Sequence, residues 1–270
     1  MDLPVQKCAL SVQGVNTRLA GRTALVTGST SNIGRAVAIA LAAEGAHVVV
    51  SGRDVDRGTA VVDAIGERGG RADFVAADLD GSVAAARVLA AEAGERLGGR
   101  IDVLVNNAGI YPATTTLTTD EQAFDRIMGV NVKASFFLTQ AVVPQMLATG
   151  HGVIINLGSW ISRLAVPSGS LYSATKGAME TLTRAWAAEF GPGGVRVNAI
   201  SPGVIRSSDL APGVATPGER LMDGTPAGGP GRPEAVGAAA VYLASDDAAF
   251  VHGTVLDVDG GRVAVAVSAA

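Results

Sequence analysis

The sequence predicts one α/β domain, in which a doubly wound parallel sheet of about seven strands carries helices on both faces. Short β-branched runs alternate along the chain with longer Ala-rich stretches of helical character. Most of the β-branched runs are almost continuously apolar, as expected for parallel strands covered on both faces. With 270 residues, of which 48% are hydrophobic, the chain is long enough to bury one sizeable core.

The apolar runs predict seven strands. They are Thr23–Thr27, His47–Ser51, Ala72–Ala76, Asp102–Asn106, Val153–Leu157, Arg196–Ile200 and Val255–Val258. Helices are predicted between them, at about 33–44, 54–68, 81–97, 120–148, 172–190 and 234–244. Because strand and helix alternate in this way, we expect right-handed crossovers within a single sheet.

Charge, hydropathy and cysteine content argue against several other classes of protein. The formal net charge is −4 and the basic residues are scattered, so no surface for nucleic acid or for an anionic membrane is expected. The apolar runs are short and broken, so no membrane span is expected. The single Cys8 argues against a disulfide or a thiolate cluster, and the three histidines lie far apart, so no metal site is predicted. A reducing cytoplasm fits this composition.

Residues 1–20 are predicted to be an N-terminal extension that precedes a domain at 21–270. They lack both a basic start and an apolar central region, so they do not resemble a secretory signal. We expect this extension to be loosely held.

A glycine-bearing turn follows the first predicted strand. The strand Thr23–Thr27 leads into Gly28-Ser29-Thr30-Ser31-Asn32-Ile33-Gly34, after which a helix is predicted. Free backbone N–H groups and the positive end of a helix at such a turn are suited to binding a phosphate. The turn therefore indicates a nucleotide site, although a tight turn with no ligand would use the same glycines.

Tyr172 and Lys176 are the candidate catalytic pair. They lie four residues apart on a predicted helix, which places them on one face. Ser159 ends a predicted strand thirteen residues before the tyrosine. A neutral phenol can act as a general acid toward an oxygen that gains negative charge, although this spacing alone is weak evidence of a site. The pKa of a free tyrosine is about 10, and we expect the nearby ammonium to lower it.

These motifs, in this order and at this spacing, resemble the short-chain dehydrogenase/reductase family from about Leu19 to Gly261. The first turn resembles the family's Thr-Gly-x-x-x-Gly-x-Gly, with Asn32 in place of the middle glycine. Asn tolerates the left-handed conformation better than other non-glycine residues, so the turn is expected to survive this change. Asn106-Asn107-Ala108-Gly109 and Val258-Asp259-Gly260-Gly261 match two further motifs of the family.

The resemblance implies a Rossmann-like fold and a set of site residues. The catalytic residues that it implies are Asn131, Ser159, Tyr172 and Lys176. Ser159 would hold the substrate oxygen, Lys176 would also bond the nicotinamide ribose, and Asn131 would carry an ordered water. The cofactor-binding residues that it implies are Gly28, Ser31, Asn32, Ile33, Gly34, Arg53, Asp78, Leu79, Asn106, Ala108, Gly109, Tyr172, Lys176, Pro202, Gly203, Ile205 and Ser207.

The end of the second strand bears on the choice of cofactor. An NAD enzyme of this fold places a carboxylate there to bind the ribose hydroxyls. The resemblance aligns that position with Gly52, which leaves room for a 2′-phosphate, and Arg53 follows with a planar set of donors. NADP(H) is therefore the favoured cofactor and NAD(H) the alternative. The competing interpretation makes Arg53 a solvated surface residue and Asp54 the cap of the next helix.

The predicted function is an NADP(H)-dependent ketoreductase or alcohol dehydrogenase acting on a small-molecule carbonyl or secondary alcohol, with 3-oxoacyl reduction among the candidate reactions. The four-residue Tyr–Lys spacing argues against enoyl reductases, which resemble the family but space this pair more widely. A non-catalytic NADP(H)-binding regulatory protein is the alternative of a different class. Such a protein is expected to have lost part of the catalytic set, which is complete here.

Two further expectations concern a lid and assembly. The segment at about 206–233 is rich in Gly and Pro, and in the family the corresponding region covers the substrate, so we expect a mobile lid there.

The helix after Tyr172 is apolar on several faces, and the tail at 263–267 is apolar as well. Both features fit contacts about two-fold axes, and family members are commonly tetramers, so a homotetramer is expected, with a dimer as the alternative.

Overall fold

The computed structural model describes residues 17–266, apart from positions 113, 165, 168, 208 and 212. Most of the predicted extension and the end of the apolar tail lie outside the described residues. The strands are β1 (Thr23–Thr27), β2 (His47–Gly52), β3 (Arg71–Ala76), β4 (Val103–Asn106), β5 (Gly152–Leu157), β6 (Val195–Pro202) and β7 (Val255–Val258). The helices are α1 (Asn32–Ala43), α2 (Val55–Gly66), α3 (Val83–Arg96), α4 (Glu121–Met128), α5 (Ala134–Thr149), α6 (Ser170–Phe190) and α7 (Pro233–Ala244).

The seven strands form one sheet in the order β3-β2-β1-β4-β5-β6-β7, and all neighbouring pairs are parallel. The predicted doubly wound, Rossmann-like fold is therefore confirmed. The chain winds outward from β1 in one direction and, after β3, crosses back to β4 and winds in the other. A crevice opens between the carboxyl ends of β1 and β4, where the winding reverses, and this is the usual place for a ligand in such sheets.

The helices cover both faces of the sheet and enclose two apolar cores. One core packs α1, α2 and α7 against the sheet, and the other packs α3, α5 and α6 against the opposite face. The central strands β1, β4 and β5 are buried along their whole length. This is why they are written as continuous apolar runs rather than as alternating ones.

The predicted helix at 120–148 is helical but not regular. One π-helical turn, Gly129–Lys133, separates α4 from α5. A Cβ on Gly129 would lie 2.8 Å from the carbonyl oxygen of Asp80, so this glycine lets the turn lie against the chain that follows β3. The turn carries Asn131, one of the predicted catalytic residues.

The same run, Glu121–Thr149, is the one helical stretch of the described chain that is long and apolar enough to cross a bilayer by length and composition alone. Half of its most apolar window is buried inside the protein. Its buried side chains, among them Leu138 and Val142, belong to the core on the α3, α5 and α6 face. Burial of this kind is typical of a core helix.

The last residues of the predicted extension pack against the domain. Leu19 has no exposed surface and belongs to the core on the α1 face. Its backbone N–H donates to the carbonyl of Glu44 at 2.9 Å. Arg18 forms an ion pair with the carboxylate of the same Glu44 at 2.6 Å. The last residues before β1 are therefore held against the end of α1.

Leu19→Ala tests this anchoring. Because the side chain is fully buried, the substitution is expected to lower the free energy of unfolding by about 2–5 kcal/mol. Leu117→Ala is the matched control, since Leu117 is 97% exposed, and it should change that free energy by less than about 0.5 kcal/mol. Denaturant unfolding of both variants makes the comparison. Equal stability of the two variants would contradict the anchoring.

Candidate active site

The turn after β1 has the geometry of a phosphate site. Ser31, at φ −157° and ψ 169°, precedes α1 and makes no side-chain cap, so the first N–H groups of the helix are left for another acceptor. Asn32 has φ +43° and is the one non-glycine residue of the described chain with positive φ. The expectation that Asn32 adopts the left-handed conformation is confirmed. Its side-chain oxygen is buried and has no hydrogen-bond partner within the protein.

The turns after β1 and β4 are clamped together. The hydroxyl of Thr27 accepts the backbone N–H groups of Asn107 and Ala108, both at 3.0 Å. The side-chain amide of Asn107 donates to the carbonyls of Thr27 and Gly28 at 2.8 and 2.9 Å. A Cβ on Gly28 would lie 2.8 Å from Cα of Ala108, and one on Gly34 would collide with the carbonyl oxygen of Gly28. Glycine is therefore required at both positions.

A cleft of about 560 Å³ lies over these turns, along the carboxyl ends of β1 to β4. Of the predicted cofactor residues, seven line it. They are Gly28, Ser31, Arg53, Asp78, Leu79, Ala108 and Gly109. The remaining lining residues are outside the predicted cofactor-binding set, although Gly52 was expected to leave room for a 2′-phosphate. They are Thr30, Ser51, Gly52, Ala77, Asp80, Ile110, Asp125, Arg126 and Val130.

The end of β2 combines both interpretations of its sequence. Asp54 does cap α2, since its carboxylate accepts the backbone N–H of Arg57 at 3.0 Å. Arg53 lines the cleft, with its guanidinium 4.0 Å from the carboxylate of Asp78. A Cβ on Gly52 would lie 2.7 Å from the methyl group of Thr30. Any larger residue at position 52 would therefore press against the phosphate turn.

The candidate catalytic residues meet at the carboxyl end of β5. Ser159 follows this strand, and Tyr172 and Lys176 lie on the first turns of α6. The ammonium of Lys176 is buried, donates to the carbonyl of Leu157 at 2.9 Å, and lies 5.6 Å from the ring centroid of Tyr172. The ring of Tyr111 stacks at a tilt against Tyr172, with 4.5 Å between centroids. The predicted constellation is therefore brought together.

Burial dominates the electrostatics of this group. Desolvation raises the pKa of Tyr172 to about 12, although hydrogen bonding with Ser159 opposes the shift. Desolvation also lowers the pKa of Lys176 to about 8, against the opposing charge of Glu180. The sequence predicted a lowered tyrosine pKa because of the adjacent ammonium, and that direction is wrong for this arrangement. Removal from water dominates the pKa of Tyr172, and the Lys176 ammonium donates to the Leu157 carbonyl.

Asn131 is buried in the π-turn, and its side chain is already engaged. The side-chain oxygen accepts the N–H of Ile110 at 2.8 Å, and the amide donates to the carbonyl of Ile110 and to the hydroxyl of Thr175 at 3.0 and 3.1 Å. The Thr175 hydroxyl in turn donates to the carbonyl of Tyr172 at 2.7 Å. Asn131 thus joins the turn after β4 to the helix that carries Tyr172. Both amide hydrogens are used within the protein, and the ordered water expected at Asn131 stays a prediction.

Other predicted residues lie outside the cleft lining and support it. Asn106 is buried between strands and donates to Asn156 at 3.0 Å and to Thr139 at 3.1 Å, so it steadies the sheet. Ile33 packs partly buried against the core on the α1 face. Gly203 donates its N–H to Val258 at 3.0 Å, which ties the chain after Pro202 to β7.

The segment predicted as a lid is bonded along its length in the described chain. The guanidinium of Arg206 donates to the carbonyls of Val214 and Ala211 at 2.7 and 2.9 Å. Ile205 forms a bridge with Gly231, and the hydroxyl of Ser207 accepts the N–H of Asp209 at 3.2 Å. A short 3₁₀ helix, Glu219–Met222, lies within the segment, and Met222 is buried. These hydrogen bonds hold the segment in the one arrangement that the structure describes.

The residues of the cleft fit a dinucleotide. The uncapped start of α1, with its free backbone N–H groups, lies where a diphosphate would be bound. The absence of Cβ atoms at Gly28 and Gly34 keeps the backbone low beneath it. The cleft then runs past the end of β2, where Gly52 and Arg53 would meet the ribose of the adenosine. The adjoining constellation of Ser159, Tyr172 and Lys176 can bind a carbonyl oxygen and exchange a proton with it.

Comparisons with known proteins place this fold among oxidoreductases. A family model described as enoyl-(acyl carrier protein) reductase matches residues 28–262. Galactitol 2-dehydrogenase (L-tagatose-forming) of Cereibacter sphaeroides is 39% identical over 249 residues, which are 90% of this chain and 96% of that protein. The chain is thus similar over nearly its whole length to a dehydrogenase of a small polyol.

Solved structures agree as well. A short chain dehydrogenase/reductase family protein superposes with a TM-score of 0.81 at 44% identity, covering 92% of this chain and all of the other. A gluconate 5-dehydrogenase from Burkholderia cenocepacia, solved in complex with NADP and tartrate, has a TM-score of 0.84 at 35% identity, covering 93% and 98% of the two chains. On its fold, its site and these relatives, the chain belongs to the short-chain dehydrogenase/reductase family of oxidoreductases.

Proposed function

We propose that this chain is an NADP(H)-dependent oxidoreductase that moves a hydride between the nicotinamide and a carbonyl or secondary alcohol. One observation carries the proposal, namely that Tyr172, Lys176 and Ser159 meet at the carboxyl end of β5, beside a cleft suited to a dinucleotide. The bound cofactor would supply or accept the hydride. The residues of the chain would bind the substrate oxygen, orient it and move its proton.

In the direction of reduction, Tyr172 is the proton donor. A pKa of about 12 keeps its phenol protonated at neutral pH, so the proton is available when negative charge develops on the substrate oxygen. Ser159 donates a second hydrogen bond to the same oxygen. Lys176 provides positive charge beneath the tyrosine ring and stabilises the phenolate left behind. With a pKa of about 8, this lysine loses its charge when the pH rises above that value.

A preference for NADP(H) is supported by the end of β2. Gly52 offers no carboxylate to ribose hydroxyls, and Arg53 lines the cleft at the adjoining position. Its partner Asp78 is 4.0 Å away, and both side chains are mostly exposed, so the pair is weak and a 2′-phosphate could displace it. The relative from Burkholderia cenocepacia was solved with NADP.

Small polyols, sugar acids and their ketones are the first substrates to examine, because the named relatives are dehydrogenases of galactitol and gluconate. The name of the matching family model suggests C=C reduction instead, but the four-residue spacing of Tyr172 and Lys176 favours a carbonyl. The other class of function is a non-catalytic NADP(H)-binding regulator. Robust reduction of any of these ketones with NADPH would exclude the non-catalytic regulator.

A homotetramer, with a dimer as the alternative, remains our proposal for assembly. Phe136 on α5 is 39% exposed and lies 5.9 Å, between ring centroids, from Trp186 on α6. Trp186 is itself buried, so Phe136 is the exposed aromatic side chain on this face, and a contact between two copies of the chain could cover it. Light scattering that shows only monomers at working concentration would refute the proposal.

Residues 206–233 are proposed to form the substrate lid, which their position after β6 supports.

Tyr172→Phe tests the proton donor. The substitution keeps the ring and removes the transferable proton, so ketone reduction should fall by about 10²–10⁴-fold while NADPH binding persists. Tyr242→Phe is the matched control, since Tyr242 lies on α7 and is 37% exposed, and it should leave the rate unchanged. Steady-state kinetics and NADPH fluorescence titration measure the two quantities. Near-normal reduction by the Tyr172 variant would refute the assigned role.

Gly52→Asp tests the cofactor preference, but it must be combined with Thr30→Ser. The new Cβ would otherwise meet the Thr30 methyl group at 2.7 Å. Relative to Thr30→Ser alone, the double variant should shift the ratio of kcat/KM for NADPH and NADH at least about tenfold toward NADH, which corresponds to about 1.4 kcal/mol. The physical cause is repulsion of the 2′-phosphate by the carboxylate. Wild-type enzyme that uses NADH as well as NADPH would defeat the proposal.

A further inference from the structure

A buried carboxylate lies one helical turn beyond Lys176 and belongs to none of the motifs discussed above. Glu180 on α6 is only 6% exposed. Carboxylates are seldom buried without a compensating partner, because removal from water is costly. The surroundings of Glu180 therefore show what this charge is used for.

Glu180 holds the turn that carries Ser159. Its carboxylate accepts the hydroxyl of Ser162 at 2.6 Å. Ser162 closes the 3₁₀ turn that begins after Ser159, and both its backbone N–H and its hydroxyl lie within reach of the Ser159 carbonyl, at 3.0 and 2.7 Å. The carboxylate thus fixes the far end of a turn whose near end is the substrate-binding serine.

Glu180 also lies against the backbone that binds Lys176. A Cβ on Gly158 would lie 2.9 Å from a carboxylate oxygen of Glu180, so glycine leaves the space that this side chain occupies. Gly158 joins Leu157, whose carbonyl accepts the Lys176 ammonium, to Ser159. One carboxylate therefore packs against the short stretch that positions both groups.

The charge of Glu180 also points to Lys176 as its partner. Lys176 and Glu180 are four residues apart on one helix and so share a face. The fully buried ammonium donates to a neutral carbonyl, and the charge of Glu180 raises its pKa against the larger effect of desolvation. Arg163 is the other cation near Glu180, but its guanidinium is bonded to Asp257, with Nη1 at 2.9 Å, and to Ser201 at 2.9 Å.

We propose that Glu180 is a positioning residue, which holds the Ser159 turn through Ser162 and keeps the buried Lys176 ammonium charged. The role toward Lys176 depends on the proposed function only in experiments that measure reaction rates, because the titration of Lys176 can be followed without turnover. The charged and titratable groups around this pair are Tyr172 on the same helix, Arg163 on the following turn, and Asp257 and Asp259 near that arginine. Glu180 is the anion among them that acts on Lys176.

The direct test titrates Lys176 in the free enzyme. The chain contains three lysines, Lys7, Lys133 and Lys176, so ¹³Cε-lysine labelling gives three NMR signals, and Lys133→Arg assists their assignment. Glu180→Gln keeps the shape and can still accept from Ser162, but it removes the charge. The pKa of Lys176 should fall by about one unit in this variant. An unchanged pKa would overturn the charge role, whether or not the chain reduces ketones.

Rates at two pH values separate charge from structure. If the pKa falls from about 8 to about 7, the protonated fraction at pH of about 8 drops about fivefold, whereas at pH of about 6 it hardly changes. Glu180→Gln should therefore reduce kcat/KM for ketone reduction about fivefold at the higher pH and little at the lower. An equal loss at both values would assign Glu180 a structural role only.

Two variants complete the design. Ser162→Ala removes the contact but keeps the carboxylate, so it should lower kcat at both pH values without moving the Lys176 titration. Unchanged kcat in this variant would overturn the turn-holding role. Glu189→Gln alters an exposed carboxylate on the same helix and should change neither quantity. If Glu180→Gln does not fold, Ser162→Ala still tests the first role, and a wild-type titration in which Lys176 is already mostly neutral at pH of about 7 would overturn the second.

Discussion

The close approach of two backbone turns, one after β1 and one after β4, is the constraint on which the rest of the site depends. The winding of the sheet reverses between these strands, so no crossover helix fills the gap above them. Thr27 and Asn107 bind the turns together, and Gly28 has no Cβ to hold them apart. Because the two turns form the floor of the cleft, their spacing decides what can lie between the ends of β1 to β4.

Burial is the second constraint, and it acts at the catalytic end of the same edge. Tyr172 and Lys176 are both removed from water, and desolvation is the largest cause of the shift in each pKa. The tyrosine remains an acid at neutral pH, which suits reduction, while the lysine is close to losing its charge. A buried carboxylate one turn away opposes that loss, so the helix α6 carries both the cation and the group that sustains it.

Much of this arrangement could be predicted from the sequence, because parallel strands and the turns after them leave local patterns. The seven strands, the left-handed Asn32 and the Ser159, Tyr172 and Lys176 group depend on short-range periodicity and on spacing. The π-turn at Gly129–Lys133 could not be predicted, since it depends on a glycine meeting the chain after β3. Long-range contacts also explain the misses at Leu19, Asn107 and Thr30, each of which is defined by a partner distant in sequence.

The direction of the tyrosine pKa shift was wrong for a related reason. Spacing along a helix shows that an ammonium is near, but it does not show how much water is removed from both groups. The engagement of Asn131 with Ile110 is similar, because the sequence names the amide and only the fold shows which carbonyl it meets. Sequence patterns therefore indicated which residues meet at this edge of the sheet, and burial determines the pKa values of Tyr172 and Lys176.

Isotope transfer tests the central claim most directly. The enzyme is incubated with NADPH that carries two deuterium atoms at C4 of the nicotinamide, so that either face delivers deuterium, and with ketones that include oxidised forms of gluconate and galactitol. The products are analysed by mass spectrometry. The account predicts an alcohol with one deuterium on the carbon that bore the carbonyl. The account would be contradicted if an enzyme shown to bind NADPH transferred deuterium to none of these ketones.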